Sequence, residues 1–133
     1  MQRKVKIIQQ DITQLSLEQL EFKTIIVAFN SLLCIPEFQG QCAALEAIAR
    51  HLSPKGRLVL DIVNPLVLKF DGDTVPKAFY TRKNPHNGNV FTRFSMRGAF
   101  DADHRQRLHG WYDEVMPEGT VKRQHYSIWW RPI

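Results

Sequence analysis

The sequence has few cysteines, no clustered metal ligands and no long hydrophobic run, and each absence excludes a class of protein. Cys34 and Cys42 are the only two cysteines, and without a CxxC pair or a Cys/His cluster they indicate neither a metal site nor a disulfide framework. We expect both to be reduced and buried in the core. No stretch approaches the roughly 18 to 20 apolar residues of a membrane span, so no membrane partner is predicted.

The opening residues, MQRKVKII, lack the apolar core of a signal peptide, and we therefore expect a cytoplasmic protein. The net charge of +5 reflects 18 basic and 13 acidic residues. The basic residues are scattered and mostly alternate with apolar ones, which is typical of a solvated surface and does not favour nucleic acid as a partner. At 133 residues the chain is long enough for one compact domain.

Residues 1–68 alternate short apolar runs with a helical pattern, which predicts the α/β part of that single domain. Segments 5–10, 25–29 and 57–63 are predicted strands. The second and third are apolar without alternation, as expected of parallel strands covered on both faces.

Between these last two strands lies a predicted helix. Pro36 and Glu37 suit the start of a helix, Arg50 and His51 suit its last turn, and SPKG ends it. One apolar face is predicted from spacings of three and four, formed by Phe38, Cys42, Leu45, Ile48, Ala49 and Leu52. A strand, a helix and a second strand joined by short loops predict a right-handed parallel βαβ unit.

Residues 69–133 change to alternating segments separated by turn residues, which predicts an antiparallel β-meander. Its strands are predicted at 78–83, 89–100, 106–115 and 120–131, with NPHNG, DADHR and MPEG between them. On the second of these strands Val90, Phe94 and Met96 point to one face and Phe91, Arg93, Ser95 and Arg97 to the other. We expect one apolar face and one face rich in Arg, His and Trp.

In this order, DITQL, IIVAFNSLLCI and ALEAIARHLSPKGRLVLDIVNP followed by a β-rich segment resemble the class I S-adenosylmethionine-dependent methyltransferases. The branch that the chain resembles most acts on small molecules and carries a β-meander insertion. The resemblance implies a partial Rossmann-like parallel sheet followed by the meander, and methyl transfer from S-adenosylmethionine to a small-molecule acceptor.

The resemblance also implies roles for particular residues. Asp11 would accept a hydrogen bond from the adenine amino group, with the Ile12 amide donating beside it. Phe29 and Asn30 would flank the methionine part of the cofactor. From the residues alone, Asp11 is equally a capping residue, Phe29 a core residue and Asn30 a strand-end hydrogen-bonding residue.

The end of the next strand, with Asp61 and Asn64, would lie near the acceptor. For Asp61 the residues favour a simpler role, holding a neighbouring loop amide, because buried polar groups are usually satisfied in this way.

The meander supplies further candidates, which could line one pocket together with Arg97 and Trp129. Arg93 and Tyr112 are predicted to bind substrate. His109 or His125 is the predicted general base, because the pKa of histidine lies near neutrality. The alternative is that the Arg and His side chains are a solvated face and the aromatic side chains belong to the core.

The family's glycine-rich loop is missing, since none of the seven glycines forms G-x-G, and so is the acidic residue that holds the ribose. The chain therefore looks as though it starts two strands into a complete enzyme. We expect segment 5–9 to pair directly with 25–29, or a second copy of the chain to fill the gap, which predicts a homodimer.

Three alternatives stay open. A non-catalytic, dimerising interaction module would explain the missing cofactor loop. A nicotinamide-dependent dehydrogenase shares the parallel sheet but also needs a glycine fingerprint. A single-stranded nucleic-acid binder would use the interleaved Arg and aromatic residues of the meander, with an affinity that falls steeply with salt.

Overall fold

The structure, a computed structural model, describes residues 5–18, 20–68 and 70–133. It divides into two compact units, with the boundary between Val63 and Asn64, five residues before the boundary that the change in sequence pattern predicts. No helix in these parts of the chain is long and apolar enough to cross a membrane. The grouping of both units into a single methyltransferase-like domain stays a prediction.

The first unit contains the predicted βαβ arrangement. Strand β1 (Phe22–Val27) is followed by helix α1 (Phe38–His51) and strand β2 (Leu52–Leu60). The two strands are parallel neighbours, with Thr24 opposite Arg57 and Val27 opposite Leu60. The βαβ prediction is confirmed. Strand β1 lies two to three residues nearer the N-terminus than the predicted strand 25–29. Strand β2 begins directly after the helix, five residues before the predicted strand 57–63.

The early start of β2 includes the SPKG stretch, which the sequence predicts as a loop. Phe22 lies opposite Leu52, while Thr24 lies opposite Arg57, so the segment between Leu52 and Arg57 forms a bulge in β2. Gly56 makes this bulge feasible, since a Cβ there would meet the Phe22 carbonyl oxygen at 2.7 Å.

The buried face of α1 differs from the predicted apolar face. Its buried residues are Gln41, Ala44, Ala47, Ile48 and His51, whereas Phe38 is 55% exposed. Hydrogen bonds explain the two buried polar residues. Gln41 donates to the Leu32 carbonyl, and His51 lies 2.7 Å from the Ala47 carbonyl through Nδ1 and accepts from the Leu17 amide through Nε2 at 3.0 Å. Periodicity counts such residues as polar and so rotates the predicted face.

The predicted strand 5–10 is wrong, because this segment is irregular and pairs with no strand in the described parts of the chain. Direct pairing of 5–9 with 25–29 is therefore also wrong, since β1 pairs with β2 alone among the described residues. Val5 and Ile7 are 86% and 92% exposed. An extended apolar segment forms a strand only where a partner offers hydrogen bonds, and these residues have none.

One face of the parallel pair is open, contrary to the prediction that both faces are covered. Val27 and Ile48 belong to the buried cluster that α1 and the sheet share. On the opposite face Ile26 and Val59, which lie side by side, are 66% and 47% exposed. The cysteines also depart from expectation, because Cys34 is exposed and Cys42 half-buried, though both are free.

The second unit is the predicted meander. Strands β3 (Lys77–Lys83), β4 (Val90–Phe100), β5 (Gln106–Val115) and β6 (Val121–Trp130) pair antiparallel in sequence order. Each bound lies within one residue of the predicted one, which reflects the turn residues between the strands.

The two faces of this sheet follow from the strand register. One face, which we call the tyrosine face, carries Tyr80, Phe91, Arg93, Tyr112, Glu114, Lys122, Gln124 and Tyr126. The other, the histidine face, carries Phe94, Met96, His109, Trp111, His125 and Trp129. The predicted directions on β4 are confirmed. The expectation that Arg, His and Trp share one face is wrong, because charged and aromatic side chains occupy both.

A nearly buried carboxylate ties the entry to β3 onto β4. Asp73, whose side chain is 7% exposed, accepts hydrogen bonds from the Arg97 amide at 3.0 Å and from Arg97 Nε at 3.2 Å, with Lys77 Nζ also at 3.2 Å. Gly72 permits this approach, because a Cβ there would meet the Gly98 carbonyl carbon at 2.5 Å. The Arg97 hydrogen bonds hold the pKa of the Asp73 carboxyl well below its usual value.

We predict that Asp73→Asn destabilises the second unit by about 1.5 to 3 kcal/mol at neutral pH, because it weakens charged hydrogen bonds. The folded-state pKa lies below the unfolded-state value of about 3.9, so the stabilisation is complete above that value and is lost as the pH falls below it. Urea unfolding followed by tryptophan fluorescence measures this effect, since all three tryptophans lie in the second unit.

Asp71→Asn is the matched control, because Asp71 is exposed and forms no hydrogen bond or ion pair within the described residues. The proposed role of the Asp73 carboxylate is contradicted if the two variants unfold at the same urea concentration at pH 7. It is also contradicted if the difference between their unfolding midpoints does not decrease below pH 4.

Candidate functional site

Hydrogen bonds join the loops at the carboxyl ends of β1 and β2. The Phe29 amide donates to Asp61 Oδ2 at 3.1 Å, and the Val63 amide donates to Asn30 Oδ1 at 2.6 Å. A backbone hydrogen bond from the Asn30 amide to the Asp61 carbonyl, at 2.9 Å, runs beside them. We call these four residues the carboxyl-edge clasp. The predicted structural role of Asp61 is thereby confirmed, although its side chain lies at an exposed position rather than a buried one.

The clasp holds two neighbouring residues in an unusual backbone conformation. Phe29 and Asn30 have φ angles of 56° and 58°, in the left-handed region that costs a residue with a Cβ roughly 1 kcal/mol or more. Phe29 is 89% exposed, so core packing does not hold it there. Ligands of open α/β sheets bind at this edge, and strained residues concentrate at such sites. The edge is therefore a candidate functional site.

Asp11 and Ile12 begin a short 3-10 helix, Ile12–Gln14, which Asp11 caps. Asp11 Oδ1 accepts from both the amide and the hydroxyl of Thr13 at 2.8 Å, and these bonds hold the pKa of the Asp11 carboxyl below its usual value. Within the described residues Oδ2 accepts no hydrogen bond and the Ile12 amide donates none. An acceptor and a donor on successive residues are thus available to a ligand, so capping and ligand contact are compatible.

Asn64 caps the 3-10 helix Pro65–Val67, where its side chain accepts from the Leu66 amide at 3.0 Å. It is exposed and belongs to the second unit. Its predicted substrate contact stays a prediction.

Arg93 and Tyr112 lie together on the tyrosine face. Arg93 Nε donates to Tyr126 Oη at 3.0 Å, and its guanidinium carbon lies 5.2 Å from the Tyr126 ring centroid. The rings of Tyr112 and Tyr126 are 5.5 Å apart. Burial, and then the Tyr80 hydroxyl, raise the pKa of Tyr112 above its usual value.

His109 and His125 lie on the histidine face, where they line a depression with Arg107, Trp111 and Ser127. The Trp111 and His125 rings are 6.0 Å apart. The hypothesis that all the meander candidates line one pocket is wrong, because the sheet separates the histidines from Arg93 and Tyr112.

Sequence reasoning missed a cavity of about 330 Å³ on the tyrosine face, beside the β3–β4 turn. Its lining residues are Asn84, Pro85, His86, Phe91, Tyr112, Glu114, Lys122 and Gln124. The sequence predicts NPHNG only as a turn. The signal that could have revealed the cavity is the set of three asparagines in and directly after this turn, Asn84, Asn87 and Asn89, which the structure directs at Glu114. Among the described residues, the cavity included, no group of three or more His, Cys, Asp or Glu could hold a metal ion.

Comparison with solved structures defines the class of fold. The chain superposes on DesVI from Streptomyces venezuelae with a TM-score of 0.71 at 18% identity, over 92% of this chain and 49% of that one. CalS10 from Micromonospora echinaspora, an amino pentose methyltransferase determined with S-adenosylmethionine bound, gives 0.69 at 17% identity over 92% and 49%. An S-adenosylmethionine-dependent methyltransferase from Clostridium acetobutylicum gives 0.70 at 16% over 98% and 48%.

The chain therefore has the fold of S-adenosylmethionine-dependent methyltransferases, as the sequence resemblance implies, and spans about half the length of these neighbours. No protein-family model matches the sequence, and neither does any curated protein.

We predict that Asn30→Ala destabilises the first unit by about 2 kcal/mol. The change removes the acceptor for the Val63 amide, worth about 1 kcal/mol, and leaves a Cβ in the left-handed region without the compensation that Asn provides, worth about 1 kcal/mol. Urea unfolding followed by circular dichroism at 222 nm reports on α1, the one α-helix in the described part of the chain.

Two further variants separate the contributions. Asn30→Asp keeps an acceptor oxygen and should unfold close to the parent, while Asn30→Gly relieves the backbone and should lie between Asp and Ala. Equal stability of the Ala and Asp variants would exclude the hydrogen bond as a contribution.

Proposed function

We propose that the chain is part of an S-adenosylmethionine-dependent methyltransferase that acts on a small-molecule acceptor. The observation that carries the proposal is the strained edge at Phe29 and Asn30, on a fold shared with a cofactor-bound methyltransferase. The structural neighbours support a small acceptor, since they include an amino pentose methyltransferase and a sugar N-methyltransferase.

The residues at hand fit the cofactor in part. Asp11 Oδ2 and the Ile12 amide, both without partners in the described residues, match the donor and acceptor at the edge of an adenine ring. The exposed Phe29 ring offers an apolar contact beside Asn30. The glycine-rich cradle has no counterpart among the seven glycines, so the fit does not extend to the rest of the cofactor.

When bound, S-adenosylmethionine supplies an electrophilic methyl group, so the protein contributes mainly positioning, a dry site and a base for the acceptor's proton. We assign the adenine end to Asp11 and Ile12, and contact with the acceptor to Asn64, Arg93 and Tyr112. His109 and His125 lie on the opposite face of the meander sheet, so either would serve as the general base only for an acceptor that binds on the histidine face instead.

The second candidate function is a non-catalytic interaction module that dimerises. The open sheet face at Ile26 and Val59 favours it, as does β1, which has one paired edge among the described residues. Parallel sheets are normally covered on both faces. A homodimer that covers this face is compatible with both functions.

Calorimetric titration with S-adenosylhomocysteine tests the two functions. Methyltransferase function predicts micromolar binding that Asp11→Ala weakens about tenfold, the loss expected for one charge-assisted hydrogen bond. Thr13→Val is the matched control, because it removes a hydroxyl bonded to Asp11 and leaves the carboxylate. Absence of binding at millimolar ligand would contradict the methyltransferase proposal and leave the interaction module.

Light scattering tests the dimer. We predict twice the monomer mass of 15.5 kDa and a shift to monomer in Ile26→Arg, because a charge cannot be buried in an apolar contact without a partner. Val75→Arg, at a similarly exposed apolar residue of the second unit, should stay dimeric. If the unmodified chain has the mass of a monomer at every concentration measured, the dimer is excluded.

The cytoplasmic location and the absence of a nucleic-acid partner stay predictions. The second rests on the scattered basic residues, and filter binding to single-stranded DNA at two salt concentrations checks it.

A further inference from the structure

Aromatic and polar side chains with defined contacts line the cavity on the tyrosine face. Its floor is the ring pair of Phe91 on β4 and Tyr112 on β5, whose centroids are 5.9 Å apart at an angle of 58°. Cross-strand pairing fixes these rings, because Phe91 lies opposite Glu114 and Arg93 opposite Tyr112. The volume of about 330 Å³ falls at the lower end of the range for small-molecule sites.

One wall of the cavity is a carboxylate held by an unusual set of donors. Glu114 Oε1 accepts from the side-chain amides of Asn87 at 2.8 Å, Asn89 at 3.1 Å and Asn84 at 3.4 Å. Glu114 Oε2 accepts no hydrogen bond within the described residues. The amide donors, Asn87 first and then Asn89, hold the pKa of Glu114 below its usual value. The wall therefore carries a fixed negative charge with one unused acceptor oxygen.

We propose that this cavity binds a small organic cation, namely a protonated amine on an apolar body the size of a six-membered ring. The ammonium group would donate to Glu114 Oε2 and lie against the rings of Phe91 and Tyr112, which attract cations through their faces. The ring body would occupy the apolar part of the cavity. The site needs neither cofactor nor turnover, so the inference stands apart from the proposed methyl transfer.

Lys122 and His86 share the lining, and the Lys122 ammonium acts against such a ligand. Lys122 lies opposite Glu114 on β6, and His86 lies in the β3–β4 turn. Lys122 forms no ion pair within 4.0 Å in the described residues, so it leaves the carboxylate accessible. Removal of its charge should strengthen cation binding, since the repulsion is lost while Glu114 stays in place.

Three probes that share a cyclohexyl ring and differ in the charge of the attached group test the proposal on the full chain: cyclohexylammonium, cyclohexanol and cyclohexanecarboxylate. Chemical-shift changes of Phe91, Tyr112 and the asparagine side-chain amides at pH 7 report binding. We expect cyclohexylammonium to bind at least tenfold more tightly than cyclohexanol, and cyclohexanecarboxylate not to bind. Equal binding of the cation and the alcohol would overturn the proposal, and so would preferential binding of the carboxylate, because Lys122 would then govern the site.

Variants assign the effect to the cavity. Glu114→Gln should weaken cyclohexylammonium binding at least tenfold, and Lys122→Met should strengthen it by about threefold, the effect of a partly screened charge. The Lys122 variant matters because Glu114 also orders the turn, so its loss could disturb the fold. Arg107→Met, which removes a positive charge from the opposite face, is the matched control and should leave binding unchanged. Unchanged or weaker binding in Lys122→Met would contradict the proposed charge preference, whatever the state of the Glu114 variant.

Discussion

The first unit depends on the parallel pairing of β1 with β2, closed at its carboxyl end by hydrogen bonds of Asn30 and Asp61. Two strands are few for a sheet, and α1 covers one face alone. Reciprocal side-chain bonds across the strand ends offset this deficit, because each loop supplies an acceptor for an amide of the other. They also hold Phe29 in its left-handed conformation. The same contacts that close the sheet thus present the aromatic ring to solvent.

In the second unit, the register of the antiparallel strands decides which side chains lie together. Antiparallel pairing puts alternate side chains on opposite faces, so Arg93 and Tyr112 are separated from His109 and His125 by the thickness of the sheet. Each face consequently has its own chemistry. The tyrosine face combines aromatic rings with a fixed carboxylate, and the histidine face combines titratable rings with tryptophan. A base and a substrate contact drawn from this sheet alone would act on different ligands.

Much of the fold could be predicted from the sequence where local signals decide. The turn residues of NPHNG and MPEG bound the strands to within a residue, and Pro36 with His51 marks the helix closely. The rest of the fold could not be predicted, because it depends on hydrogen bonds between residues far apart in the sequence. Segment 5–10 has the composition of a strand without a partner, and Gln41 and His51 are buried because distant backbone groups bond to them. The alternation of residues within β4 correctly predicts which of its side chains share a face. Which side chains of β5 and β6 lie beside them depends on the strand register, which the sequence alone does not show.

The central claim, that the strand ends are closed by these particular bonds, is tested most directly by scalar couplings across hydrogen bonds in the isotope-labelled chain. The account predicts couplings from the Val63 amide nitrogen to the side-chain carbonyl carbon of Asn30 and from the Phe29 amide nitrogen to the carboxyl carbon of Asp61, beside those of the β1–β2 ladder. Ladder couplings without these two would contradict the clasp, and couplings in an antiparallel pattern would contradict the fold.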